Sequence, residues 1–166
     1  MIKPSFSSAW AAAIEIYDAT DSAERVASVI GGQVDQNIHS PDPSLRWKNT
    51  CAVRMSYILN KSGALIPKIA GQTVSGANGH QYFYRVVNLI DYLKMQWGQP
   101  EVVKYPQLGG GTLTGKKGII LFEVSGWYDA RGHATLFNGS TCYDHCYFYD
   151  PSAGYKTNQA NFWSLS

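Results

Sequence analysis

Gly118-Ile119-Ile120-Leu121-Phe122, then Ala134-Thr135-Leu136-Phe137, then Cys146-Tyr147-Phe148-Tyr149 mark the place where this chain stops reading as helix and starts reading as sheet. Each is a short apolar run with branched or aromatic side chains. Asn138-Gly139, between the second and the third, is a strong hairpin turn signal. Three such runs in succession predict an antiparallel sheet.

The upstream half has the other period. Phe6, Trp10, Ala13, Ile14 and Tyr17 fall on one face of a first helix, with Ser7 or Ser8 as its cap, and a second helix runs from Ser22 to Ile30. Gly31-Gly32 stops it, and the stretch on to Asn49, with Pro41 and Pro43, reads as loop. A third helix opens near Cys51, capped by Asn49 or Thr50, turns Met55, Ile58 and Leu59 inward and ends at Gly63. A fourth spans about Phe83 to Trp97, with Val86, Leu89, Ile90, Leu93 and Trp97 on one face and Gly98 and Pro100 as terminators. Helices first and strands after predict an α+β fold in which the N-terminal helices pack on one side of an antiparallel β-sheet.

The three cysteines divide into a lone Cys51 and a close pair, Cys142 and Cys146, that brackets Asp144. A thiol attacks an acyl carbon as thiolate, which needs a histidine to take the proton and a third polar group to hold the imidazole. Cys51 sits at a helix start, where unpaired N–H groups and the macrodipole favour an anion, and where its own amide is a candidate oxyanion donor. His133 follows Gly132 at the entry to a strand, and the hairpin can bring Asp144 back beside it. This set points to a hydrolase, against the commoner fates of a buried structural cysteine and a structurally satisfied histidine. His39 and His80 lie in loop-like stretches without partner motifs and read as surface residues.

Two other chemistries compete for the same residues. Gly110 to Lys117 reads GGTLTGKK, short of a phosphate-binding loop because Lys117 stands where Ser or Thr should hold magnesium, and because an apolar strand follows instead of a helix. Cys142, His145 and Cys146, with Asp144 or His133, are candidate zinc ligands, but paired metal cysteines ordinarily come with a second cluster, which Cys51 alone does not supply. No metal or cofactor is expected.

With 166 residues the chain fits one domain, 1–166, without a linker. A net charge of +2 and the lack of any Lys/Arg run interleaved with aromatics exclude a nucleic-acid partner. The aromatic clusters read mostly as core, with Trp127 a candidate wall of a groove. Glu15 breaks the apolar run Ala9–Ile14 before it reaches signal-peptide or membrane-span length, so neither a cleaved signal nor a span is expected. Cytosolic thiols stay reduced. Either Cys142 and Cys146 are unbonded, or the protein reaches an oxidising space by another route.

Cys51-Ala52-Val53-Arg54-Met55-Ser56-Tyr57 opening a helix, Lys116-Lys117-Gly118-Ile119-Ile120 as a strand, Ala130-Arg131-Gly132-His133 and Cys142-Tyr143-Asp144-His145-Cys146 together resemble the type VI secretion amidase effectors, most closely their fourth family. The similarity runs from Pro4-Ser5-Phe6 through Ile30-Gly31-Gly32 into the strand region, with Gln33 to Asn49 and the tail after Asp150 matching less clearly. The resemblance implies a papain-like fold related to cell-wall endopeptidases. It implies Cys51 as nucleophile, His133 as base and then acid, Asp144 as orienting residue, and a disulfide between Cys142 and Cys146, which would fold Tyr143-Asp144-His145 into a tight turn. It implies a substrate, the peptidoglycan stem peptide, cut between D-glutamate and meso-diaminopimelate. It also implies delivery by the type VI apparatus into the oxidising periplasm of rival Gram-negative cells and a periplasmic immunity protein as partner. The same thiol chemistry on the diaminopimelate to D-alanine crosslink, and a non-catalytic cell-wall or partner-binding module, are the alternatives.

Overall fold

The computed structural model describes all residues, Met1–Ser166. Three helices open the chain: α1 (Phe6–Ile16), α2 (Ser22–Ile30) and α3 (Gly32–Ile38). Ser5, not Ser7 or Ser8, caps α1 by accepting from Ser8 N–H, and the buried face is Ala9, Ala12, Ala13 and Ile16, leaving Ile14 58% exposed. Gly31 ends α2 as expected, but α3 starts at once where the sequence reads as loop. Gly31 and Gly32 both have positive φ (66° and 58°), so the pair makes a sharp corner between two helices. Val34 and Ile38, one turn apart, bury α3 in the core.

Next come a short 3-10 turn (Pro43–Leu45), α4 (Cys51–Lys61), the hairpin of β1 (Thr73–Ser75) and β2 (Gln81–Phe83), and α5 (Val86–Trp97). Phe83 thus belongs to a strand, and α5 begins three residues later than the periodicity suggests. Every residue of α4 from Cys51 to Asn60 is buried. A helix enclosed on all sides can carry polar side chains only where they find partners: Ser56 donates to Ala52 O and accepts from Phe83 N–H, and Arg54 donates to Thr50, Tyr143 and Asp144.

The main sheet is antiparallel in the order β3-β6-β4-β5, with β3 (Glu101–Lys104), β4 (Gly118–Ser125), β5 (Gly132–Phe137) and β6 (Lys156–Ser164). The alternation along β4 divides the core. Ile119 and Leu121 face the helices together with Ala134, Leu136 and Trp163. Ile120, Phe122 and Val124 face the opposite layer with Phe137, Phe148, Ala160 and Phe162. That second layer is covered by the segment after β5, which is not the strand expected at Cys146–Tyr149: it touches the sheet edge only through the bridge Phe137–Cys142. A 3-10 turn (Leu108–Leu113) runs into the Gly110–Lys117 stretch, which leads straight into β4, and no α-helix opens there. No helix is long and apolar enough to cross a membrane.

Candidate active site

The N-terminus of α4 meets the free edge of β5. Cys51, the first residue of α4, lies with Sγ 4.0 Å from Gly132 O, across a contact that joins the two halves of the chain. Gly132 is required by packing: a Cβ there would stand 2.5 Å from Phe122 O and 3.0 Å from Val86 Cγ1. The glycine lets β5 pass between β4 and the start of α5, and the next residue carries the imidazole.

His133 and Thr135 project from β5 away from the helical core, towards the segment after the hairpin. There the Cys142–Cys146 disulfide, with Cα atoms 5.3 Å apart, draws Tyr143-Asp144-His145 into a compact loop. The bond consumes two of the three thiolate and imidazole ligands that a Cys142-His145-Cys146 zinc site would need. Asp144 accepts from Thr135 Oγ1 and His145 N–H at 2.6 Å on Oδ1, and from Arg54 Nη2 at 2.9 Å on Oδ2. His133 Nε2 stands 2.9 Å from Asp144 Oδ2. The N–H is bent away from that line, so the contact is an ion-pair approach more than a directed hydrogen bond. Nε2 being turned to the carboxylate, Nδ1 is the nitrogen left for the thiol. Tyr147 stands edge-on to the imidazole, with ring centroids 4.8 Å apart, and limits its rotation. The structure therefore brings Cys51, His133 and Asp144 together, although Asp144 arrives by a disulfide-closed loop and not by strand pairing.

The electrostatics follow from burial opposed by neighbours. Burial opposes charge on all three groups, and the neighbours outweigh it. The hydrogen bond and charge of His133, then Arg54, pull the Cys51 thiol below its ordinary range. The close approach and charges of Asp144 and Cys51 raise His133 to about 9. His133, Arg54 and Thr135 lower Asp144 to about 2. A thiolate, an imidazolium, a carboxylate and the guanidinium of Arg54 sum to zero charge. That balance lets the charged state persist in a site where Cys51 is 2% exposed.

Arg54 is the residue that sequence reasoning left unassigned. It is 5% exposed, one turn after Cys51, and donates to Asp144, to Tyr143 Oη (3.1 Å) and to Thr50 Oγ1 (3.0 Å). Its signal was present: the one charged side chain in the apolar run from Cys51 to Leu59. Thr135, Tyr143 and Tyr147 were also missed, since each acts through a contact that crosses the fold.

The Cys51 amide, a candidate oxyanion donor, here donates to Asn49 Oδ1 at 3.1 Å. Stabilising an oxyanion with it requires Asn49 to release it. A cleft of about 570 Å³ opens on one side of Cys51 and a second of about 370 Å³ over His133 and Asp144. Asn49, Trp127 and Asp129 line both, so Trp127 does wall the groove. His39 is on the surface, yet it has partners the sequence did not suggest: its two ring nitrogens stand 2.6 Å from Glu24 and Asp35. His80 is also exposed and contacts Asn78.

The family model of the type VI secretion system (T6SS) amidase effector protein 4, Tae4, matches residues 47–163. The effector Tae4 from Salmonella typhimurium, solved in complex with the immunity Tai4 from Enterobacter cloacae, is 39% identical over 99% of this chain and 100% of its own, with a TM-score of 0.86. Tae4 in the Tae4-Tai4 complex from Enterobacter cloacae is 37% identical over 99% and 100%, with a TM-score of 0.85. Tae4 of Enterobacter cloacae by itself is 36% identical over 99% and 98%, with a TM-score of 0.84. The chain matches no curated protein. The papain-like α+β fold is the one these effectors share. With a family match over most of its length and solved relatives aligned from end to end, the chain belongs to the type VI secretion amidase effector 4 family.

Proposed function

We propose that this amidase effector is a cysteine-dependent peptidoglycan DL-endopeptidase, acting as one catalytic unit over residues 1–166, with Cys51, His133 and Asp144 as its triad. The observation that carries this is the meeting of a buried thiol, imidazole and carboxylate at the floor of a groove. The Cys51 thiolate attacks the γ-D-glutamyl carbonyl, and the tetrahedral intermediate collapses as His133 gives its proton to the departing amine of meso-diaminopimelate. The product is a thioester on Cys51. Water, deprotonated by the now neutral His133, then attacks the thioester and returns the Cys51 thiolate, the imidazolium and a free γ-carboxylic acid, which ionises by releasing its proton to solvent. Asp144 holds the ring and stabilises the imidazolium without taking the proton itself.

The chemistry needs no metal or other cofactor. The substrate lies in the periplasm of a target Gram-negative cell, reached through the type VI apparatus, and a cognate periplasmic immunity protein protects the producer. The relatives solved as Tae4-Tai4 complexes support that last point. Mass analysis of fragments released from purified peptidoglycan tests the bond. New N-terminal meso-diaminopimelate is the expected product, whereas cleavage only at the diaminopimelate to D-alanine crosslink, or none, refutes this reading. Expression in a Gram-negative host is expected to be toxic with a periplasmic export signal and harmless in the cytoplasm; equal toxicity in both refutes the localisation.

A further inference from the structure

We propose that Arg85 and Arg131 form a carboxylate-reading wall beside Cys51 and select substrates by a free carboxylate next to the scissile amide. The inference rests on the bond assigned above and extends it. Both residues line the larger cleft together with Cys51, whereas Asp144 lines the other. The ion pairs of the chain engage His39, Arg54, Lys61, Lys116 and His133, so neither guanidinium has a carboxylate partner inside the protein. Asp129, in the same cleft, leaves them unpaired.

Arg85 is also held in place. Its guanidinium lies 4.8 Å over the ring of Tyr84, which in turn stacks on Trp47 at 5.1 Å and 21° and donates from its hydroxyl to Gly71 O. A cation fixed against an aromatic ladder has less rotamer freedom to lose on binding than a free surface arginine. Arg131 precedes Gly132, whose place between Phe122 and Val86 anchors the backbone. Arg85 is also the N-cap of α5, which has no side-chain cap, so the positive end of that helix adds to the same field.

The substrate has two matching groups. D-glutamate linked through its γ-carbonyl keeps its α-carboxylate on one side of the scissile bond, and meso-diaminopimelate on the other side carries a carboxylate at its free stereocentre. Either presents the planar pair of oxygens that a guanidinium binds in bidentate fashion.

The test measures kcat/KM for L-Ala-γ-D-Glu-meso-diaminopimelate-D-Ala and for two analogues, one amidated at the α-carboxylate of D-Glu and one at the side-chain carboxylate of meso-diaminopimelate. The enzymes are the wild type and Arg85→Gln, Arg131→Gln and double variants. Amidation of the recognised carboxylate is expected to slow the wild type by about 10- to 100-fold, the range of a charged hydrogen bond. The double variant should be slowed by about that factor on the free acid and should lose little more when the same carboxylate is amidated. The analogue that shows this coupling identifies the carboxylate. If, for both analogues, amidation costs the wild type and the double variant the same to within about fivefold, the proposal is overturned. A wrong bond assignment appears separately, as product masses from the wild type on the free acid that correspond to a different cut.

Discussion

Arg54→Met removes one side chain and tests the charge balance of the whole site. Met is close in volume and apolar, so the substitution leaves little cavity, and what is lost is the cation held between Asp144, Tyr143 and Thr50. Breaking a buried ion pair by removing one partner costs about 3–5 kcal/mol, and because Asp144 keeps His133, Thr135 and the His145 amide the low end applies here, about 3 kcal/mol. For a domain of this size that lowers Tm by about 6–12 °C. The chemical consequence is distinct. Without Arg54 the thiolate, imidazolium and carboxylate carry one uncompensated negative charge, so the Cys51 thiol is expected to rise. Cys51 is the only free cysteine, so the pH dependence of iodoacetamide alkylation reports it directly. The acidic limb should move to higher pH in Arg54→Met and largely return in Arg54→Lys, which keeps the charge and loses the fork. A limb that does not move, with Tm lowered by less than about 2 °C, would show that Arg54 is not part of the charge balance.

Cys51→Ala and His133→Ala should each abolish release of fragments from purified peptidoglycan while keeping a cooperative unfolding transition; hydrolysis retained by purified Cys51→Ala rules out the thiol mechanism. Protonated His133 contributes stability that is full below pH 6.5 and lost as pH rises through about 9, while ionised Asp144 contributes stability that is full above pH 3.8 and lost as pH falls through about 2. The lowered thiol of Cys51 opposes His133 over the same range, so Tm of the wild type should change little between pH 6.5 and 9, and a steep decline there would count against a thiolate–imidazolium pair. Removing the disulfide as Cys142→Ser with Cys146→Ser should cost about 2 kcal/mol, the chain-entropy value for so short a loop, and lower kcat by loosening Asp144. Equal turnover, with Cys51 kept reduced, would mean that Arg54, Thr135 and the His145 amide position the carboxylate unaided.

What was legible in the sequence is what local periodicity carries. The helix from Ser22 to Ile30 has the expected bounds, and α4, β4 and β5 lie where spacing and turn residues put them. The omissions have a common physical origin in contacts made across the fold. β6 is an interior strand of the sheet, yet Lys156-Thr157-Asn158-Gln159-Ala160-Asn161 lacks the apolar run that marks β4 and β5. It is tolerated there because Thr157 donates to Tyr147 O, and Asn161, 0% exposed, donates to Leu121 O and Glu123 Oε2 and accepts from Gln159. Leu121 and Glu123 lie on β4, nearly forty residues before Asn161, and no local window contains both ends of those bonds.

The run Cys146–Tyr149 errs in the opposite direction. Its composition suits a strand, but the bond to Cys142 curls the segment before it can pair, and Phe148 is buried against Phe122 and Phe137 instead. The candidate site shows the same limit at higher stakes. Cys51, His133 and Asp144 are residue types that announce their chemistry, whereas Arg54 looks like a stray charge on a helix until Asp144 is found beside it. A buried guanidinium is costly unless its partner is in place, and here the partner is delivered by a loop that the disulfide closes. The helix that carries the thiol and the loop that carries the carboxylate therefore depend on one another through Arg54. That dependence makes the substitution with the largest expected structural effect fall on a residue that need not touch substrate.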